Sequence, residues 1–162
     1  MKAVLWALVL VVAAVLTSSC RREPAPPRYT PGLGEIMSLQ QMRHMKLWFA
    51  VEAGNWPLAD YELKEIKEGF DDAMTFQGNN DELPLVLKDV MPKKVNVPLN
   101  DLTLAVRAQD KARFETAFDS LTMACNECHQ AENHGFNVVQ RPTMNPYANQ
   151  VFTPVKDKIA TE

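Results

Sequence analysis

Three residues whose side chains are suited to chemistry lie close together near the end of the 162-residue chain. They are Cys125, Cys128 and His129, in the pattern Cys-x-x-Cys-His. On a helix, positions three and four apart share one face, so two thiols and one imidazole would point in the same direction. This pattern is the attachment signature of a c-type haem, in which both sulfur atoms bind the porphyrin and the histidine binds the iron. The motif therefore predicts one covalently attached haem c.

Other interpretations of the two cysteines explain less of the pattern. A structural zinc site needs four ligands, and His134 is the only further candidate nearby, with no second cysteine pair. A thioredoxin-type Cys-x-x-Cys begins a helix after a strand, whereas this one ends a helical pattern. A disulfide between residues three apart leaves His129 without a role. Haem attachment is the interpretation that uses all three residues.

The N-terminus has the features of an export signal. Lys2 precedes an apolar stretch over 3–16, and small residues follow it at 17–19. The apolar stretch is too short for a comfortable membrane span. The sequence Leu-Thr-Ser-Ser before Cys20 resembles a bacterial lipoprotein cleavage site, in which the cysteine becomes the lipidated first residue. We expect residues 1–19 to be removed and Cys20 to anchor the protein on the periplasmic side of a membrane; an ordinary signal peptide is the alternative.

Composition and charge restrict the class of protein. The chain is 46% hydrophobic and 23% charged, with a formal net charge of −3, which is typical of one globular domain. The sequence has no basic patch of the kind that indicates a nucleic-acid partner. A small negative charge of this kind usually serves solubility and does not select a partner.

Hydrophobic periodicity predicts four helices and no strands. The predicted helices cover 33–53, about 57–76, a third that is firm only over 99–109, and a fourth that follows Asp110 and carries the motif. Asn55 and Asp110 have the residue types of helix N-caps, and Pro57 suits a first helical turn. Pro92 and Pro98 should interrupt any helix over 85–98. Four helices with short connections predict an all-α, antiparallel four-helix bundle over 33–132.

Two irregular segments flank the predicted bundle. Residues 20–32 are rich in proline and should form an extended tether. Residues 133–162 contain helix breakers together with many apolar residues, and we expect this C-terminal extension to pack on the bundle. Within the second helix, a run of alternating charges should face solvent; it comprises Glu62, Lys64, Glu65, Lys67 and Glu68.

A four-helix domain with Cys-x-x-Cys-His in its last helix resembles the class II c-type cytochromes, the cytochrome c-prime group of bacterial exported monohaem proteins. The resemblance covers 33–132 as an architecture, and only the motif carries specific residue identity. It implies an iron whose sixth position is open to a diatomic gas such as NO or CO, and a homodimer as one possible assembly. The long segment after Glu132 departs from the c-prime pattern.

The sixth iron ligand has several candidates. In an up-down bundle the start of the first helix lies beside the end of the fourth, which places Met37 at a depth similar to that of His129. A Met/His iron has a raised potential and suits electron transfer. His44 lies about 10 Å further along the same helix and would give an iron with two histidines. Met144, in the C-terminal extension, is a third candidate, and an open position is the fourth possibility.

The expected function follows from this choice of ligand. We expect a one-electron carrier between redox partner proteins in the periplasm or membrane, with a gas-binding haem protein as the alternative. We do not expect an enzyme. A peroxidase needs a distal base beside a charge-stabilising arginine, and Arg43 and His44 point about 100° apart on a helix.

Overall fold

The computed structural model describes residues 29–155, which form four helices and an irregular C-terminal segment. The helices are α1 (Leu33–Glu52), α2 (Trp56–Gln77), α3 (Leu87–Ala108) and α4 (Lys111–Ala131). Consecutive helices pack against each other, and no strand occurs in the described range. The predicted all-α four-helix bundle is confirmed. The predicted signal peptide, Cys20 and tether residues 20–28 lie outside the described residues.

Capping residues fix where α2 and α4 begin. The side chain of Asn55 accepts a hydrogen bond from the backbone N–H of Leu58 at 3.2 Å. Asp110 accepts from the N–H of Arg113 at 3.0 Å. Both contacts satisfy backbone donors that a helix start leaves without partners. Gly54 has a φ of +69°, so a residue without a side chain suits the turn between α1 and α2.

One core of apolar side chains joins the four helices. In α4, Phe114 and Phe118 are fully buried, and their ring centroids lie 6.2 and 5.0 Å from that of Trp48 in α1. Such tilted aromatic pairs add packing energy to the burial of their area. Leu63 and Ile66 of α2 are buried in the same core. The buried stripes follow the helical period, so the same apolar pattern that forms each helix also directs it into the core.

The third helix differs from the prediction. Instead of a firm part over 99–109, α3 runs without a break from Leu87 to Ala108 and contains both Pro92 and Pro98. A proline inside a helix removes one hydrogen bond and costs about 3 kcal/mol. The helix nevertheless continues because α3 packs between α2 and α4 and buries Met91, Val95 and Leu99. Tertiary packing therefore outweighs local propensity here.

The segment after α4, which we call the C-terminal strap (residues 132–155), runs back along the bundle. Arg141 binds both carboxylate oxygens of Asp119, at 2.5 and 2.6 Å, and its guanidinium lies 4.8 Å from the ring centroid of Trp48. Further along, Phe152 is buried against Phe49, with ring centroids 6.0 Å apart. The carbonyl of Phe152 accepts a hydrogen bond from the side chain of Asn55 at 3.0 Å. The strap thus extends from the end of α4 to the turn between α1 and α2.

Glu62 corrects the prediction for the charged run of α2. It is only 3% exposed, whereas Lys64 and Glu68 are exposed as expected. Burial raises the pKa of the Glu62 carboxyl, and the nearby ammonium of Lys46 acts in the opposite direction. The Lys46 ammonium in turn lies 5.1 Å from the ring centroid of Tyr147 in the strap. The placement of Glu62 on a solvated face was therefore wrong.

Within residues 29–155, none of the helices combines the length and the apolar character that crossing a membrane requires.

Candidate haem site

A cavity of about 700 Å³ lies at the end of the bundle where α1 and α3 begin and α2 and α4 end. This volume falls within the range of about 300 to 1,000 Å³ that is typical of small-molecule and cofactor sites. Apolar side chains of α2 and α3 form much of its wall, among them Ile66, Phe70, Leu87, Met91 and Val95. The cavity is thus an apolar space that all four helices border.

The three residues of the motif border this cavity together. Cys125, Cys128 and His129 lie in the last two turns of α4 and all line the wall. Both cysteines are half-buried, and neither forms a disulfide with another described residue. Burial, with a smaller contribution from Cys128, raises the pKa of Cys125 to about 12, and burial also raises the pKa of Cys128. Both side chains are therefore protonated thiols near neutral pH.

A hydrogen bond to the C-terminal strap holds the imidazole of His129 through its Nδ1 atom. Its Nδ1 lies 2.6 Å from the backbone carbonyl oxygen of Asn137 in the strap. Because a carbonyl only accepts hydrogen bonds, Nδ1 carries the proton and donates it. In the neutral ring the lone pair then resides on Nε2, which is the arrangement in which protein histidines commonly bind metals.

His44 lines the inner wall of the same cavity but is already engaged. Its Nε2 lies 2.8 Å from the hydroxyl oxygen of Thr122, and that hydroxyl donates to the carbonyl of Phe118 at 2.9 Å. A hydroxyl has one proton, so His44 donates to Thr122 through Nε2–H. The His44 ring also stacks on Phe118, with centroids 4.2 Å apart. Burial lowers the pKa of His44 to about 4, so the side chain is neutral at physiological pH.

The two methionine candidates lie in different surroundings. Met37 is half-buried near the start of α1 and lines the cavity beside the motif. Met144 is 78% exposed in the strap and is not among the residues that line the cavity. The structure therefore brings Met37, His44 and His129 to one cavity and leaves Met144 outside it.

Glu132 is a residue of this cavity that the sequence analysis did not single out. It lies directly after α4, is 5% exposed, and accepts a hydrogen bond from the N–H of Leu85 through Oε2 at 3.2 Å. Its other oxygen, Oε1, is buried and has no hydrogen-bond partner among residues 29–155. Glu132 follows Cys128 by four positions and Cys125 by seven, so helical spacing places it on the face of the motif. That spacing was a usable signal in the sequence.

The donor set and the cavity fit the group that the motif predicts. Two thiols, one imidazole with its lone pair on Nε2, and an apolar wall border the same space. In the described range, no cluster of three or more histidine, cysteine or acidic residues is arranged to hold a metal ion directly. The two thiols, the imidazole and the apolar wall match what the covalent attachment of a haem requires.

No protein-family model matches the chain. No curated protein and no solved structure matches it at a significant level either.

Proposed function

We propose that this chain is a monohaem c-type cytochrome that carries single electrons between periplasmic or membrane-bound redox proteins. The observation that supports the proposal most directly is the arrangement of α4. Cys125, Cys128 and His129 border one cavity of about 700 Å³, and Nδ1 of His129 donates to the carbonyl of Asn137. When bound, the haem would supply one-electron iron redox chemistry.

Each residue of the motif has its own role in this proposal. Cys125 and Cys128 would hold the porphyrin by thioether bonds, and His129 would present Nε2 to the iron. The raised pKa values of the two cysteines mean that few thiolates form in the folded chain. The apolar part of the wall limits the access of water beside the thiols, which would influence the reduction potential of the iron.

Met37 is the side chain that we assign to the sixth iron position. It lines the cavity at the start of α1. Its sulfur forms no hydrogen bond with another residue in the range 29–155. Nε2 of His44, by contrast, is committed to Thr122, and its ring is packed on Phe118. Binding iron through Nε2 would cost His44 this buried hydrogen bond. A Met/His pair raises the reduction potential and closes the iron to gases, which suits an electron carrier.

The test of haem attachment is the absorption spectrum of protein produced in a host that attaches c-type haem. We expect a covalent haem spectrum in the wild type and in Cys20→Ser, and its loss in the Cys125→Ser, Cys128→Ser double variant. The Cys20 variant is the matched control because it removes a cysteine outside the motif. Wild-type protein without haem absorbance would overturn the proposal.

The same spectra test the sixth ligand. We expect a low-spin ferrous spectrum that does not change with CO, and a ferric sulfur-to-iron charge-transfer band. Met37→Ala should remove this band and let CO bind, whereas Met42→Ala, a half-buried methionine on the same helix that does not line the cavity, should leave both unchanged. A high-spin wild-type spectrum that shifts with CO would instead favour the gas-binding haem protein.

We also propose that the protein is exported and held at the membrane through a lipid on Cys20. The support is the sequence alone, since residues 1–28 lie outside the described part of the chain. Lipidated protein should partition with membranes and begin at a modified Cys20 in mass spectrometry, and Cys20→Ser should be released. A wild-type protein that begins at another residue and stays in the aqueous fraction would contradict the anchor.

A further inference from the structure

Asn126 lies between the two cysteines, at a position that the motif leaves open to any residue. It is not among the residues that line the cavity, and its side chain contacts the C-terminal strap. Its Nδ2 donates to the carbonyl of Val139 at 2.8 Å, and its Oδ1 accepts from the N–H of Val139 at 2.8 Å. A single side chain thus satisfies both backbone groups of one strap residue, as a neighbouring β-strand would.

This contact fixes the strap two residues from the carbonyl that holds the haem-site histidine. The N–H of Val139 and the carbonyl of Asn137 belong to one irregular stretch that is neither helix nor strand. Successive residues of an extended chain advance by about 3.3 Å, so holding Val139 confines Asn137 within about 7 Å. The carbonyl of Asn137 must stay within hydrogen-bond distance of Nδ1 of His129, which is 2.6 Å away.

We propose that Asn126 is a positioning residue for His129, acting through the strap. Its two hydrogen bonds hold the strap in the register that keeps the Asn137 carbonyl on Nδ1, and the proton on Nδ1 keeps the lone pair on Nε2. The role as a positioner of an iron ligand rests on the proposed function. The role as a positioner of the imidazole tautomer does not.

The other contacts of this region do not replace Asn126. The N–H of His134 donates to the carbonyl of His129 at 2.7 Å, and the N–H of Asn137 donates to the carbonyl of His134 at 2.9 Å. These bonds shape the turn after α4 but leave the next residues of the strap without a connection to the helix. Arg141 binds Asp119 two residues further along, but it does so through its own long side chain, which holds the strap backbone less closely than the two direct bonds from Asn126 to Val139.

A change in the imidazole has a measurable consequence for the iron. A ligating histidine that donates from Nδ1 to a carbonyl is a stronger donor than one without this bond. A stronger donor favours the ferric state and lowers the reduction potential. Loss of the Asn137 contact should therefore raise the potential.

The experiment compares Asn126→Ala with Asn145→Ala. Asn145 is the matched control because it also bonds the strap backbone, accepting from the N–H of Tyr147 at 2.9 Å, but its bond lies within the strap and beyond Val139 along the chain. In the holoprotein, Asn126→Ala should raise the reduction potential and speed solvent exchange of the Nδ1 proton of His129 about tenfold. Asn126→Asp, which keeps the acceptor for the N–H of Val139 but loses the donor, should lie between wild type and the alanine variant.

Two outcomes would overturn the inference. One is an Asn126→Ala variant that melts earlier but keeps the wild-type potential and proton exchange, since Asn126 would then serve stability alone. The other is an Asn145→Ala variant with the same shifts. If Asn126→Ala does not fold, the aspartate variant decides. If the wild type binds no haem, the proposed function fails, and the tautomer of His129, read by nitrogen-15 NMR on the unloaded wild type and variants, still tests the positioning role.

Discussion

His44 is held by contacts that a neutral imidazole makes, and the stability of the bundle should therefore depend on pH. It donates to Thr122, stacks on Phe118, and has a pKa of about 4 because burial disfavours the charged form. In the unfolded chain the pKa of histidine is about 6.5. Between these two values the unfolded chain binds a proton that the folded chain does not. The contribution of His44 to the free energy of unfolding is constant above about pH 6.5 and decreases as the pH falls towards about 4.

The variant His44→Gln should remove this pH dependence. From this residue alone, the wild-type free energy of unfolding should fall by about 1.4 kcal/mol per pH unit between about pH 6.5 and 4. Urea unfolding of both proteins across this range measures the difference in slope. His134→Gln is the control, since His134 is exposed and should keep the wild-type slope. Equal slopes for wild type and His44→Gln would show that His44 binds its proton equally in the folded and unfolded chains, which contradicts the lowered pKa.

At the scale of the elements, the loop between α2 and α3 is held by Glu132, the residue that follows α4. Asn80, Glu82 and Leu83 of this loop line the cavity, and Glu132 accepts from the N–H of Leu85. Glu132 thus ties the loop to the end of α4. The loop forms part of the cavity wall, so its order affects how much water reaches the site.

Replacement of Glu132 by alanine should loosen this loop. The Leu85 N–H loses its partner, and we expect faster amide exchange over 80–86 and a loss of about 1 kcal/mol in the free energy of unfolding. Hydrogen–deuterium exchange with mass spectrometry measures both the site and the size of the effect. Glu127→Ala is the control, because Glu127 pairs with Lys94 on the surface and such pairs contribute little. Unchanged exchange over the loop in Glu132→Ala would contradict the role of this contact.

The helices show which parts of the fold local sequence could predict. The start of α1, the caps at Asn55 and Asp110, and the apolar stripe of α4 depend on neighbours within a few residues, and the predictions for them were correct. The bounds of α3 were wrong because Pro92 and Pro98 oppose a helix locally. Burial against α2 and α4 decides there, and a local pattern does not contain that burial.

The candidate site divides in the same way. Helical spacing predicted that the motif residues share one face, and bundle topology predicted that Met37 would approach them; both residue sets line the cavity. The partner of His129 could not be predicted, because the Asn137 carbonyl comes from a stretch without periodicity. The hydrogen bond between His44 and Thr122 joins residues 78 positions apart and was equally hidden.

At the scale of the whole molecule, the C-terminal strap joins the two ends of the bundle. It contacts His129 and Asn126 near the cavity, and its last buried residue, Phe152, packs on Phe49 beside the turn between α1 and α2. The strap has little regular structure, so its order comes from these separate contacts. The carboxylate of Glu62 is buried and acts on the pKa of Tyr147 in the strap. The sequence predicted it to be exposed because it is charged, and the packing of the strap was not visible in the sequence.

If the strap is part of the cooperative fold, a change at its far end should destabilise the whole protein. Phe152→Ala removes a buried ring and should lower the free energy of unfolding by about 3 kcal/mol. Phe136→Ala is the matched control in the same strap, since its ring is 83% exposed, and should change it by less than about 0.5 kcal/mol. Urea unfolding followed by far-ultraviolet circular dichroism and by tryptophan fluorescence should give one coincident transition for each variant. A stability of Phe152→Ala equal to that of wild type, with early proteolysis of the strap, would instead mean that the strap detaches independently of the four helices.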